Sequence, residues 1–271
     1  MTRNPAVAGS FYPADINQIN ALIKSFNVTP SDDKINAFGI ISPHAGYVYS
    51  GKTALMGYSS IDVKKNIIIM GPNHTGLGLD FSVMNKGSYN FGAFNVPVNS
   101  ILADEIINQK DSPFQSDYKA QLKEHSIEVQ IPLLHYFRSD FSIVPIVISY
   151  IRYDDVIKSA RAIFNALIKL DLIDDVLIVA SSDMTHYESA EEAKIKDLIA
   201  INEIFRFDPE GLYNKVISNK ISMCGFIPAS IMLLVAKMAG KTNVKLINYT
   251  NSGEASGDYS SVVGYSSIVV Y

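Results

Sequence analysis

Five histidines and a single cysteine hold most of the reactive side-chain chemistry in this 271-residue chain. His44 stands in Ser42-Pro43-His44-Ala45-Gly46-Tyr47, and His74 in Gly71-Pro72-Asn73-His74-Thr75-Gly76. In both places a short apolar run stops at a proline and a histidine follows almost at once. The runs, Ala37 to Ser42 and Ile67 to Met70, are too short for helices and rich in β-branched residues, so they read as buried strands. In open α/β sheets, ligands collect in the crevice beyond the carboxyl ends of the strands. A neutral imidazole there can bind a metal or carry a proton near neutral pH. Two of them, delivered by the same kind of strand end, make a metal-binding or catalytic pair.

A third run, Val176 to Ala180, leads into Ser181-Ser182-Asp183-Met184-Thr185-His186. Asp183 in that loop has three uses: orienting a histidine, supplying an acceptor, or starting a turn. His125 lies in Lys123-Glu124-His125-Ser126-Ile127-Glu128, either as part of a capped helix start or as a proton donor facing a pocket. His135 sits in an apolar helical stretch and reads as a packing or surface residue. Cys224 precedes Gly225 and a helix. A helix amino terminus favours thiolate, the form that binds metals, while the bland alternative is an inert buried thiol. With one cysteine no internal disulfide is possible, which fits a reducing compartment. A P-loop and a dinucleotide G-x-G-x-x-G are both absent. So are glycosidase-type paired carboxylates. Ser181-Ser182 lacks the glycines of a nucleophile elbow.

These residues need a scaffold of alternating strands and helices. Asp15 can cap a helix to Phe26, with Ile16, Ile19, Leu22, Ile23 and Phe26 on one face. Further helices are predicted over 52–59, 100–109, 124–137, 154–170, 191–205, 209–218 and 228–238. Further strands are predicted over 142–149, 244–248 and 262–271, with a hairpin over 80–99 and an irregular stretch from Arg3 to Pro13. The order implies an α/β fold with a largely parallel, partly mixed central sheet and helices on both faces, a three-layer α/β/α arrangement. No repeat, low-complexity tract or linker marks a boundary, so a single domain over 1–271 is expected. Apolar residues make up 48% and charged residues 18%, as in a folded globular chain. The net charge of −4, with no basic block, argues against nucleic-acid or anionic-membrane partners. Met1 to Ser10 lacks the apolar core of a signal peptide, and Phe226 to Ala236 is too short to span a bilayer. A soluble cytoplasmic protein is expected.

Taken together, the motifs resemble the Memo family. They stand as Pro5-Ala6-Val7-Ala8-Gly9-Ser10-Phe11-Tyr12-Pro13, Pro43-His44-Ala45-Gly46-Tyr47 and Gly71-Pro72-Asn73-His74. Glu124-His125-Ser126-Ile127-Glu128, Ser181-Ser182-Asp183-Met184-Thr185-His186 and Cys224-Gly225 complete the set. The resemblance implies a fold similar to class III extradiol dioxygenases, which are non-haem iron enzymes. It places His44, His74 and Cys224 at the three metal positions and His186 at the catalytic histidine, with Asp183 and His125 lining the same pocket. Cys224 stands where those dioxygenases keep a carboxylate. A soft thiolate turns preference toward copper(I), zinc or thiolate-tolerant iron, so ring-opening activity does not carry over. The resemblance thus implies a metal-dependent oxidoreductase using iron or copper, with zinc as a further candidate. Other readings of the same pocket are a peptide or small-ligand binding protein without catalysis, and a copper or iron handling protein. Microbial relatives also imply a pathway link to a radical-SAM protein.

Overall fold

A computed structural model describes residues 1–271. In chain order, β1 (Thr2–Arg3) precedes α1 (Ile16–Ser25), β2 (Gly39–Ser42) and α2 (Tyr47–Ser59). Next come β3 (Asn66–Pro72), β4 (Phe81–Val83), β5 (Ser88–Asn90), β6 (Asn95–Pro97), α3 (Ser100–Ile107) and β7 (Gln115–Ser116). The middle holds α4 (Gln130–Phe137), β8 (Ser142–Ile148), α5 (Tyr153–Lys169), β9 (Val176–Ser181) and β10 (His186–Glu188). The chain ends with α6 (Ala190–Phe205), α7 (Pro209–Ser218), α8 (Phe226–Met238), β11 (Val244–Asn251), α9 (Gly253–Ser256) and β12 (Val262–Val270).

Nine strands form one mixed sheet in the order β10-β12-β2-β9-β3-β8-β4-β7, with β11 added against β12. Its centre, β2-β9-β3-β8, is parallel. β12 runs antiparallel to β2 and β11, and β4 antiparallel to β8. The central strands are continuous apolar runs because both their faces are covered. Ile67 to Met70, Ile143 to Ile148 apart from Pro145, and Leu177 to Ala180 all belong to the buried core. Helix α8 lies against β9, β2 and β3, and α2 against β12, β11 and β2. α8 is buried around most of its circumference, so its sequence lacks a polar face. Register then fixes the site. Ser42 pairs with Ser181, and Met70 with Ala180. The three strands therefore end nearly level, and the loops carrying His44, Asp183 and His74 emerge side by side.

The expected elements are present, with four differences. Helix α2 begins at Tyr47, five residues before the predicted 52, because Gly46 takes an extended N-cap conformation directly after the histidine loop. The stretch 80–99 is not one hairpin. β4 joins the large sheet, while β5 and β6 form a hairpin that pairs with β1 in a separate three-stranded sheet. The helix predicted over 124–137 starts only at Gln130, because the side chains and carbonyls of 124–128 are engaged elsewhere. Pro132 then falls in the first helical turn, where its missing N–H does no harm. His186 lies in the short edge strand β10 rather than in a loop, and Tyr187 behind it has φ +59°, a strained value for a bulky residue.

Candidate metal centre

Three imidazoles meet at the carboxyl ends of β2 and β3. One ligand atom from each of His44, His74 and His125 lies within 4.8 Å of the others. The rings of His74 and His125 stack at 4.6 Å, and His44 stands edge-on to them at 5.1 and 5.4 Å. His44 is buried, while the His74 side chain keeps 32% of its surface exposed. The cluster is thus closed on the sheet side and open to solvent at His74.

The hydrogen bonds behind the rings decide which nitrogens are free. Ser181 Oγ donates its only proton to the Ser126 carbonyl at 2.6 Å. It accepts from Gln130 Nε2 at 2.8 Å. Its remaining contact is His44 Nδ1 at 2.9 Å, so that nitrogen must be the donor. His44 Nε2 is left with its lone pair pointing away from Ser181. Gln130 is itself held, its Nε2 also reaching the Pro43 carbonyl at 3.0 Å and its Oε1 accepting from Tyr58 at 2.7 Å. At His74 the device is a carboxylate. Glu124 Oε1 lies 2.9 Å from Nδ1, and Oε2 accepts the His74 backbone N–H at 2.7 Å. Glu124 accepts from Ser126 N as well, at 2.8 Å. Burial works to raise this carboxyl, but the hydrogen bonds from His74 and the Ser126 N–H bring it below its ordinary range. A carboxylate on the far nitrogen of an imidazole is the usual outer partner of a metal-binding histidine.

Burial holds the His44 imidazole well below its ordinary pKa, and the neighbouring histidines push the same way. It stays neutral, as a ligand must. Burial also lowers His125, with Glu124 opposing. Cys224 is half-buried, with Sγ 3.2 Å from His44 Nε2. Burial pushes its thiol up, helped by the Asp183 charge, although the Asp183 N–H donates to Sγ at 3.3 Å. The helix α8 amino terminus therefore does not by itself make Cys224 a thiolate here. A cation beside it would supply the missing charge. Two imidazole lone pairs freed by fixed protons on the opposite nitrogens, with a sulfur against one of them, are donors that fit a metal ion.

Asp183 has a different task from the one its spacing to His186 suggests. Its Oδ1 accepts the backbone N–H groups of His44 at 2.7 Å and Ala45 at 3.3 Å. It thereby clamps the β2 loop to the β9 loop. Burial raises its carboxyl to about 6 despite these hydrogen bonds. The His186 ring is held instead by Ser222, whose carbonyl lies 3.0 Å from Nδ1 and whose Oγ accepts the His186 N–H at 2.7 Å. That places the proton on Nδ1 and leaves Nε2 free, the outcome expected of an aspartate but reached through a carbonyl. His135 stacks on Phe94 at 3.7 Å, a packing role as expected.

Sequence reasoning missed the supports. Glu124 and Ser181 stand in the quoted motifs, but nothing in their type or spacing marks them as partners of an imidazole, and Gln130 lies in no motif. Glu128 gathers the Arg3 guanidinium, Tyr12 Oη at 2.5 Å and the N–H groups of Ala6 and Val7 at 2.8 and 3.1 Å. This ties the amino-terminal segment beneath the site. There Phe11 packs its ring on His125 at 4.8 Å and accepts the Tyr47 N–H on its carbonyl at 2.8 Å. The signal for this was present as Arg3 and Glu128, charged residues inside stretches otherwise poor in charge.

A family profile described as "Memo-like protein" matches residues 3–269. A MEMO1 family protein of Aquifex aeolicus is 41% identical, covering 97% of each chain. One from Thermoplasma volcanium is 38% identical over 99% of this chain and 98% of its own, and one from Methanococcus maripaludis is 37% identical over the whole of both.

Proposed function

Since the chain belongs to the Memo family, we propose that it is a metal-dependent oxidoreductase in which His44, His74 and Cys224 hold iron or copper. The observation that carries this reading is the pair of freed Nε2 lone pairs, fixed by Ser181 and Glu124, with Cys224 Sγ 3.2 Å from one of them. The fold would then be the three-layer α/β/α type of the extradiol dioxygenases, in one domain over 1–271 and working in the cytoplasm. No helix is long and apolar enough to cross a membrane. A bound iron or copper ion would supply one-electron redox chemistry. The chain's own residues do the rest. Glu124 and Ser181 keep the two imidazoles in the ligating tautomer. Asp183 holds the His44 loop against Cys224. His186, with Nε2 free, takes or gives a proton at the substrate, and His125 lines the same pocket.

Two measurements test this. Protein purified without chelators should contain about one equivalent of iron or copper, and His44→Ala should contain none. Oxygen uptake should then be sought with candidate substrates, where His186→Ala should keep its metal and lose about 100-fold or more in turnover. Full metal content in His44→Ala would sink the metal assignment. Full activity in His186→Ala would sink the acid/base role.

A further inference from the structure

His125 is left over by this account. Its Nδ1 lies 3.5 Å from Glu124 Oε1, too long for a hydrogen bond, and its ring makes no other. The ring is nevertheless held in place, between Phe11 at 4.8 Å and His74 at 4.6 Å, with only 20% of the side chain exposed. Its nitrogens are therefore positioned but uncommitted. It is also one of the three imidazoles whose ligand atoms converge, a group to which Cys224 does not belong. The thiol instead approaches His44 Nε2. The shared His44 and His74 are thus flanked by two further donors, a thiol at His44 and an imidazole stacked on His74.

We infer that the pocket offers two overlapping donor sets, His44, His74 and Cys224 for a soft monovalent ion, and His44, His74 and His125 for a borderline divalent one. This rests on the reading of the pocket as a metal centre and adds a ligand to it. The chemistry follows from softness. Thiolate selects copper(I), whereas an all-imidazole set suits nickel(II), copper(II) or iron(II). His44 and His74 are the shared, tautomer-fixed pair, and the third donor is chosen by the ion.

The test is a crossed pair of variants with two probe ions. Copper(I) and nickel(II) affinities are measured by chelator competition for the wild type, Cys224→Ser and His125→Gln, with circular dichroism to confirm folding and His125→Asn as a second variant. Cys224→Ser should lose about 100-fold or more in copper(I) affinity and less than about 10-fold for nickel(II), against the 10–100-fold typical of losing an outer partner. His125→Gln should do the reverse. Wild-type nickel(II) protein should show no thiolate-to-metal charge-transfer band. If both variants weaken both ions equally, one four-donor shell exists and the two-set inference is wrong. If His125→Gln and His125→Asn, both folded, bind both ions like the wild type, His125 is no ligand and the inference also fails, while the metal centre stands. If the wild type binds neither ion, the metal centre itself falls.

Discussion

At the scale of single residues, protons on the far side of the rings decide what the near side can do. Ser181 has one hydroxyl proton, committed to Ser126, so His44 must donate to it. Glu124 imposes the same tautomer on His74 by charge. Replacing Glu124 with Gln keeps the shape but removes the charge that makes His74 a basic ligand. Metal affinity should fall about 10–100-fold with the fold retained, read by chelator competition. Asp183 bears on stability as well. Its carboxyl is raised to about 6 in the folded chain by burial. The folded state therefore holds this proton more tightly than the unfolded one. Its contribution is fully present below the unfolded value of about 3.9 and is lost as pH rises through about 6. Wild-type metal-free protein should thus show a component of stability that declines between about pH 4 and pH 6, and Asp183→Asn should lack it. Urea unfolding at several pH values reads the difference; identical slopes for the two proteins would refute the assignment.

At the scale of elements, legibility followed pattern. The central strands were readable because burial on both faces leaves continuous apolar runs, and their histidines because proline ends each run. Proline marks His44 and His74; His186 was legible from the apolar run before it, and Cys224 from the glycine and helix after it. The stretch 124–129 was misread as helix because its apolar spacing is helical, whereas its backbone is set by long-range hydrogen bonds to Arg3 and His74 that no local window contains. Which of its three uses Asp183 takes was not legible for the same reason, since the partners for which it is an acceptor are 139 and 138 residues away. The amino-terminal segment was legible only as irregular. Its anchor is a buried ion pair, Arg3 at 1% and Glu128 at 0% exposure. Removing one member leaves the other charged and buried. Glu128→Ala should cost about 3–5 kcal/mol in chemical unfolding and release Phe11 from His125. A loss below about 1 kcal/mol would mean that the segment is not held by this pair.

At the scale of the molecule, the site joins loops from β2, β3 and β9 to the start of α8. A ligand that binds only the folded arrangement stabilises all of it by mass action. An ion at about 100 times its dissociation constant should add about 2.7 kcal/mol and raise the melting temperature accordingly. Thermal scans with and without copper(I) or nickel(II) should show the rise in wild type and none in His44→Ala, the residue both donor sets share. A rise of equal size in that variant would place the ion elsewhere. The family match over residues 3–269 includes the amino-terminal anchor and the final strands as well as the pocket.

The contact between Cys224 and His44 spans 180 residues of sequence. Loops closed over such distances form late, because the entropy of closing them is lost before any contact repays it. β2 and β9 must find their parallel register before Asp183 can reach the His44 loop, and α8 must dock before Cys224 does. The pocket is therefore a clock for folding. Metal added to a refolding chain should leave the early phases unchanged and bind only on the timescale of the last one, arriving as a seal on a finished sheet rather than as a nucleus for it.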